Sequence, residues 1–215
     1  MPPEKSRLTV QQNYDRLSRW YDSISASERV FSSSGLRLLD ARPGEYVLEI
    51  GFGTGRALIE LARAVGETGK VSGIDLSSGM LAVSQQRLQR SGLGAKIDLY
   101  LGDATCLPFP SHHFQAVFSS FTLELFEPSE IQAVLAECRR ILVPSGRLVL
   151  VSLAKQKSLA VKIYEWFHHQ FPAIVDCRPI LIRQELENAG FSIVDFFEKR
   201  LWGLPAEAVL ARING

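Results

Sequence analysis

Cysteine is scarce in this chain of 215 residues, and the three that occur have no metal-binding or redox spacing. Cys106, Cys138 and Cys177 lie far apart, so neither a disulfide framework nor a C-x-x-C zinc site is indicated. We expect them to be reduced thiols, as in a cytoplasmic protein.

Long hydrophobic runs and an excess of one charge are also missing. The longest apolar stretch, near residues 148–154, is far too short to cross a bilayer. The start, MPPEKSRLTV, lacks the apolar core of a signal peptide. Lys and Arg number 24 against 23 Asp and Glu, a formal net charge of +1. A nucleic-acid partner is therefore not expected, whereas peripheral membrane contact stays open.

Histidine occurs only as two adjacent pairs, at 112–113 and 168–169. Neighbouring side chains on a helix or strand point in different directions, so neither pair makes a chelate by itself. We predict no metal site and interpret these histidines as surface or hydrogen-bonded residues. A general-base role for His168 or His169 is the alternative, because imidazole can take a proton near neutral pH.

Short β-rich runs alternate with helical patterns from residue 46 onward. This alternation indicates a doubly wound parallel sheet with helices on both faces. Near the end, a helix at 180–189 precedes two strands whose short connection permits only antiparallel pairing. The predicted strands cover 46–50, 71–74, 97–101, 116–119, 147–153, 192–199 and 206–213, and the other helices cover 56–65, 78–91 and 131–142.

The chain is long enough for one domain, and we interpret residues 1–215 as a single unit. Residues 1–40 are predicted to form a helical N-terminal cap, with a polar, serine-rich interruption at 23–34. Residues 154–180 are predicted to form a lid-like insertion before the last helix and hairpin. No repeat, low-complexity tract or long linker divides the sequence.

The stretch LEIGFGTGRALIELA, residues 48–62, places three glycines directly after the first strand. Glycine lets the backbone approach a ligand closely, and open α/β sheets bind ligands at this edge. The dinucleotide fingerprint G-x-G-x-x-G/A needs a small residue where Arg56 stands. Glu49, just before the turn, would repel a pyrophosphate and attract a cation. The pattern thus favours S-adenosylmethionine, which carries an ammonium and a sulfonium, over NAD(P).

Two further acids follow the next strands. Asp75 ends the second strand, where an acid can accept hydrogen bonds from both ribose hydroxyls. Asp103 follows the third strand and is placed to accept from the adenine amine. Each acid alone could be a turn former, but three such features at successive strand ends point to one cofactor site.

Together these segments resemble the class I S-adenosylmethionine-dependent methyltransferases, and within them the ubiquinone/menaquinone-biosynthesis C-methyltransferase branch. The resemblance implies a Rossmann-like seven-stranded sheet of order 3-2-1-4-5-7-6 whose last strand is antiparallel. It is carried by YDRLSRWYD (14–22), VLEIGFGTG (47–55), VGETGKVSGIDLSSGML (65–81), GDATCLPFPSHHFQAVFSSF (102–121) and ECRRILVPSGRLVLV (137–151).

The resemblance also implies a cofactor site and methyl transfer to a small acceptor. Tyr14 or Tyr21 of the cap would lie over the methionine end of the cofactor. The implied cofactor-binding residues are Tyr14, Tyr21, Glu49, Gly51, Phe52, Gly53, Gly55, Asp75, Leu76, Met80, Asp103, Ala104, Ser119 and Ser120.

The acceptor side carries aromatic residues that suit a lipophilic ligand or, on the alternative interpretation, pack a helix on the sheet. No covalent nucleophile is expected, because the sulfonium is already activated, and the candidates for acid or base work are Glu124, His168 and His169. The predicted acceptor-binding residues are Phe121, Glu124, Tyr164, Phe167 and Arg178.

The stretch after Ser120-Phe121 departs from the quinone-type pattern. Those enzymes usually carry G-L-R-N there, whereas residues 122–125 read TLEL. The acceptor therefore stays open among a quinol ring carbon, a phospholipid amine and a metabolite oxygen. Two other functions also stay open: an NAD(P)-binding oxidoreductase and a non-catalytic methyltransferase-like subunit. A monomer and a homodimer are equally compatible with the sequence.

Overall fold

The computed structural model describes residues 28–155, 178–201 and 203–214. Within these ranges, helices and strands alternate along the chain until a C-terminal hairpin. The helices are α1 (Glu28–Leu39), α2 (Arg56–Val65), α3 (Ser78–Ser91), α4 (Pro128–Ile141) and α5 (Ile182–Asn188), and the strands are β1 (Tyr46–Ile50), β2 (Lys70–Asp75), β3 (Ile97–Leu101), β4 (Phe114–Ser120), β5 (Leu142–Leu153), β6 (Phe191–Leu201) and β7 (Leu204–Ile213).

The strands form one mixed sheet of order β3-β2-β1-β4-β5-β7-β6. Strands β1 to β5 pair in parallel, and β7 runs antiparallel to both β5 and β6. The predicted order and the antiparallel last strand are therefore confirmed. Strand order reverses between β1 and β4, so the crevice at their carboxyl ends is where a ligand is expected.

Helices cover both faces of the sheet. Since successive residues of a strand point to opposite faces, each strand contributes side chains to both cores. On one face, Val47 of β1 packs with Val71, Ala116 and Val149 of other strands against residues of α1, α2 and α3. Leu48 lies in the other core with α4 and α5. The parallel strands are consequently apolar on both faces, as expected for a doubly covered sheet.

The serine-rich part of the N-terminal cap is helical, which corrects the predicted interruption as far as residues 28–34 are concerned. Ser34 donates to the Val30 carbonyl at 2.8 Å, so its hydroxyl is satisfied inside the helix. Gly35 explains why small residues occur here: an added Cβ would lie 2.5 Å from Val151 Cγ2. The helix thus sits unusually close to the sheet, and small side chains permit that approach. The rest of the predicted cap lies outside the described residues.

The boundaries of α4 and β5 differ from those predicted. Helix α4 begins at Pro128, three residues early, because Glu127 and Glu130 form a reciprocal capping box. Leu142, predicted to end the helix, already belongs to β5 and pairs with Phe114. Most of the predicted insertion at 154–180 lies outside the described residues, so the lid stays a prediction.

Arg147 ties the start of the sheet to the loop after α1. Its guanidinium bonds to both carboxylate oxygens of Glu45, at 2.8 and 2.7 Å, and to the carbonyls of Leu39 and Asp40. Burial alone would raise the pKa of Glu45, but the bonds from Arg147 and the Arg42 amide outweigh it and lower the pKa. The pair is 10% and 16% exposed, so solvent cannot replace these bonds.

Replacing Arg147 by methionine should therefore destabilise the fold by about 3 to 5 kcal/mol, because a buried carboxylate and two carbonyls lose their donor. Arg42→Met is the matched control, since Arg42 pairs with Asp40 at 68% and 69% exposure and should cost no more than about 1 kcal/mol. Urea unfolding of both variants measures the difference, and equal losses would contradict the assignment.

Candidate functional site

A cavity of about 620 Å³ opens at the carboxyl edge of the sheet. It is bordered by the ends of β1, β2 and β3, by residues of α1, α2 and α3, and by the segment after β4. Its size lies in the range of small-molecule sites. It also coincides with the reversal of strand order, where the fold alone predicts a ligand.

The glycine turn between β1 and α2 forms the floor of this cavity. Gly51, Gly53 and Gly55 have φ of 72°, 49° and 77°, values that favour glycine. A Cβ on Gly51 would lie 2.1 Å from Thr122 Oγ1, and one on Gly55 would lie 2.2 Å from Ser84 Oγ. A Cβ on Gly53 would meet nothing within 4 Å and would enter the cavity. Gly53 is thus the position where a ligand can approach the backbone.

Glu49 is the buried acid of the site. Its side chain is 4% exposed and borders the cavity, and its Oε2 atom has no hydrogen-bond partner among the described residues. Burial raises the pKa of Glu49 well above its ordinary value of 4.5, and the charges of Asp75 and Glu60 raise it further. A buried carboxylate with one unpaired oxygen next to a cavity is suited to a cationic group from the ligand.

Asp75 and Asp103 border the same cavity and also shape its loops. Asp75 accepts from the Gly53 amide at 2.8 Å and from the Ser77 amide at 2.9 Å. Asp103 accepts from the Thr105 amide at 2.9 Å. Each carboxylate oxygen can accept a second bond, so the contacts with ribose and adenine stay predictions alongside these turn-forming roles.

A second wall of the cavity faces the glycine turn from α1 and the segment after β4. Ser32 donates to Ser120 at 2.7 Å and so joins α1 to the end of β4. Phe121 has a φ of 51°, a conformation that non-glycine residues rarely adopt, and its ring meets Phe31 edge-on at 6.3 Å. Because strained residues are common at functional sites, Phe121 makes this wall a candidate ligand-binding surface.

Most of the predicted site residues within the described ranges border the cavity. Those that do are Glu49, Gly51, Phe52, Gly53, Asp75, Leu76, Met80, Asp103, Ala104, Ser120 and Phe121. Others fall outside the described residues, so their predicted roles stay predictions: Tyr14, Tyr21, Tyr164, Phe167, His168 and His169.

Four predicted residues have their contacts elsewhere. Gly55 packs against Ser84, and Ser119 donates to the Ile50 carbonyl at 2.9 Å. Glu124 is 2% exposed, and its Oε1 accepts from the Leu153 amide at 3.3 Å. Arg178 donates to the Phe126 carbonyl and lies 4.0 Å from Glu127. None of the four is among the described residues that border the cavity, and their predicted roles in binding stay predictions.

Several cavity residues were not predicted from the sequence: Ser32, Leu36, Thr122, Leu125 and Phe126. Thr122 and Leu125 lie in the segment that departs from the quinone-type pattern, and that departure was the available signal; Phe126 follows this segment directly. Ser32 and Leu36 gave no signal, because the serine run was interpreted as an interruption.

The remaining cysteine and histidine residues carry no metal chemistry within the described ranges. No group of three or more His, Cys, Asp or Glu side chains there could hold a metal ion. Cys106 and Cys138 are free, and burial raises the pKa of the Cys138 thiol to about 12. His113 contacts Tyr46 and Phe114 edge-on, as a packed ring does.

Comparison with known proteins places the sequence among methyltransferases. Residues 47–146 match a family model described as a methyltransferase domain. The ubiquinone/menaquinone biosynthesis C-methyltransferase of Pseudomonas putida is 32% identical over 177 residues, covering 80% of this chain and 68% of that protein. The corresponding protein of Shewanella pealeana is 34% identical over 126 residues, covering 58% of this chain. The demethylmenaquinone methyltransferase of Symbiobacterium thermophilum is 30% identical over 165 residues, which cover 74% of this chain.

The matched regions span only part of these relatives. They cover 49% of the Shewanella pealeana protein and 65% of the Symbiobacterium thermophilum protein. What the relatives are named for therefore does not transfer automatically to this chain.

Solved structures share the fold. An S-adenosylmethionine-dependent methyltransferase from Aquifex aeolicus has a TM-score of 0.69 at 23% identity, covering 92% of this chain and 97% of its own. A Burkholderia thailandensis N1-methyltransferase with S-adenosylhomocysteine bound scores 0.76 at 17% identity, covering 100% and 92%. The [4+2]-cyclase SpnF scores 0.76 at 18% identity, covering 95% and 94%. Because a cyclase shares it, the fold alone does not define an activity.

The doubly wound sheet, the glycine turn and the acids at three successive strand ends define a nucleoside-cofactor-binding α/β protein. Because the Pseudomonas putida relative is 32% identical and is matched over 68% of its length, the chain belongs to the class I S-adenosylmethionine-dependent methyltransferases. The residues present fit that cofactor, because Glu49 offers a buried oxygen without a partner and Gly53 opens the backbone to the cavity.

Gly53→Ala should weaken binding of S-adenosylhomocysteine by roughly tenfold or more, since the new methyl group occupies cavity space that the ligand needs. The left-handed backbone also costs about 1 to 2 kcal/mol of stability. Gly92→Ala is the matched control, because Gly92 has φ 73° and its Cβ also meets nothing within 4 Å, but Gly92 itself does not border the cavity, although Ser91 does. Calorimetric titration should find reduced affinity only for Gly53→Ala; equal affinities would contradict the prediction.

Cofactor binding should release a proton from Glu49. A raised pKa leaves the carboxyl partly protonated above pH 4.5, and a cationic ligand favours the ionised form. Affinity for S-adenosylmethionine should therefore rise with pH from that value and level off above the raised pKa.

Titration calorimetry in two buffers of different ionisation enthalpy measures this proton release. Glu49→Gln should abolish it. Glu60→Gln alters an exposed acid on the same cavity and should retain most of it, because burial, the larger cause of the raised pKa of Glu49, is unchanged. Identical proton release in Glu49→Gln would show that another group titrates.

Proposed function

We propose that this protein transfers a methyl group from S-adenosylmethionine to a small, lipophilic acceptor. The observation that carries the proposal is the buried Glu49 oxygen without a partner, placed beside an open glycine turn. A cationic ligand would satisfy that oxygen, whereas a pyrophosphate would be repelled. This charge argument speaks against the NAD(P) alternative, which no comparison supports.

We assign cofactor binding to one wall of the cavity and acceptor binding to the other. In our proposal Glu49 holds the cationic amino-acid end of the cofactor, Asp75 the ribose and Asp103 the adenine. When bound, S-adenosylmethionine supplies a methyl group already activated by the sulfonium. The chain then has to align an acceptor with that methyl group and keep water away, which positioning alone can achieve.

The opposite wall suggests the kind of acceptor. Leu36, Phe121, Leu125 and Phe126 give it an apolar surface, and Ser32 with Ser120 adds hydroxyl groups. An aromatic or otherwise lipophilic molecule with a polar substituent would match this surface. The names of the relatives suggest a quinol-like ring, while TLEL at 122–125 in place of the quinone-type stretch leaves a phospholipid amine or a metabolite oxygen as candidates.

We also propose that the protein works in the cytoplasm as a single methyltransferase unit, as a monomer or homodimer. Its cysteines support a reducing compartment, since Cys106 is exposed and Cys138 is buried, and both are free thiols. No helix in the described part of the chain is long and apolar enough to span a bilayer.

The proposal is tested first by ligand-induced stabilisation. S-adenosylmethionine and S-adenosylhomocysteine should raise the melting temperature, because each binds the folded chain, and NADH should not. A coupled assay for S-adenosylhomocysteine should then detect turnover with one of three acceptor classes: quinols, phospholipid amines or hydroxylated metabolites. Stabilisation by NADH alone would refute the proposal, and binding without turnover would favour the non-catalytic subunit.

Phe126→Ala should separate the acceptor wall from the cofactor site. Removing the ring should lower kcat/KM for the acceptor by roughly tenfold through lost apolar contact, with cofactor affinity unchanged. Phe196→Ala is the control, since Phe196 is 49% exposed on β6 away from the cavity. A parallel loss of cofactor affinity in Phe126→Ala would place Phe126 on the cofactor side instead.

A further inference from the structure

One face of α3 packs against the glycine turn. Met80, Ser84 and Arg87 follow at spacings of four and three residues, so their side chains lie along the same side of the helix. Met80 borders the cavity, and Ser84 is fully buried against Gly55. Arg87 continues this face by one turn and reaches the middle of the glycine turn.

Arg87 donates from Nη1 to both oxygens of Thr54, at 2.7 Å to the carbonyl and 2.6 Å to the hydroxyl. Thr54 is buried and lies between Gly53 and Gly55, which both have positive φ. Because glycine rotates with little steric resistance, the peptide groups on either side of Thr54 need an external restraint. The guanidinium provides one by fixing the Thr54 carbonyl and side chain together.

The turn is held from the opposite direction by Asp75, which accepts from the Gly53 amide at 2.8 Å. The Asp75 carboxylate therefore fixes the N–H group of Gly53, and the Arg87 guanidinium fixes the C=O group of Thr54. These charged groups form stronger bonds than neutral partners would. Together they hold a glycine-rich segment in one shape without any ligand.

We infer that Arg87 is a positioning residue that holds the glycine turn in its ligand-binding conformation before the cofactor arrives. The inference rests on the proposed function, since it assigns Arg87 to the cofactor site. The inferred role rests on the bonds from Arg87 to Thr54 and not on a contact with the cofactor. The benefit is preorganisation: a turn already ordered loses less conformational freedom when the ligand binds.

Arg87→Met should weaken S-adenosylhomocysteine binding by about tenfold in titration calorimetry, the effect of losing both restraining bonds. Arg87→Lys should be intermediate, because an ammonium keeps a donor on a shorter side chain. Arg90→Met is the matched control: Arg90 also borders the cavity but is exposed and makes no hydrogen bond to a described residue. Its affinity should stay within about twofold of the unsubstituted chain.

A second measurement needs no ligand. Amide hydrogen exchange at residues 53–55 should accelerate in Arg87→Met and not in Arg90→Met, while protection of β1 stays unchanged. Faster exchange throughout β1 would indicate general destabilisation and overturn the positioning role.

The two hypotheses fail in different ways. If the unsubstituted chain binds neither S-adenosylmethionine nor S-adenosylhomocysteine, the proposed function is wrong. If it binds them, and Arg87→Met binds equally well or leaves exchange at 53–55 unaltered, the role of Arg87 is wrong. A tenfold loss that also occurs in Arg90→Met would equally overturn it.

Discussion

The burial of one carboxylate, that of Glu49, is the constraint on which the site depends. An acid inside a sheet covered on both faces is unfavourable unless a cation or a proton compensates for its charge. Burial raises the pKa of Glu49 and so favours the protonated carboxyl in the free chain. A cationic ligand can replace this proton only if no side chain blocks its approach over the glycine turn. The open space at Gly53 meets that need.

The same constraint explains why the surrounding loops are so heavily bonded. A turn with three positive-φ glycines has many conformations in isolation, so its neighbours must select one. Asp75 and Arg87 do so by hydrogen bonds, and Thr122 and Ser84 do so by contact with Gly51 and Gly55. Asp75, which is predicted to bind the ribose, therefore also holds the glycine turn in shape.

Local pattern and family resemblance together predicted the sheet, because alternating periods and a short C-terminal connection leave few arrangements. The boundaries of helices and strands were harder to predict from the sequence. Ser32 and Ser34 look like a loop in sequence, yet the close approach at Gly35 makes small residues the suitable choice for a helix there. Residues at the cavity were predictable when a motif marked them, as with Asp75. The Ser32–Ser120 bond spans 88 residues, and no local signal reports such a contact.

The chain order of the cavity residues has a consequence for recombination. The predicted cofactor wall comes largely from the continuous stretch 49–104, whereas the facing wall comes from α1 and the short segment 120–130. Two small cassettes could therefore be exchanged between homologous chains while the nucleoside-binding half is kept whole. The seam between them runs through two contacts, Thr122 against Gly51 and Ser32 with Ser120, and chimeras that preserve both pairs keep the two halves in register.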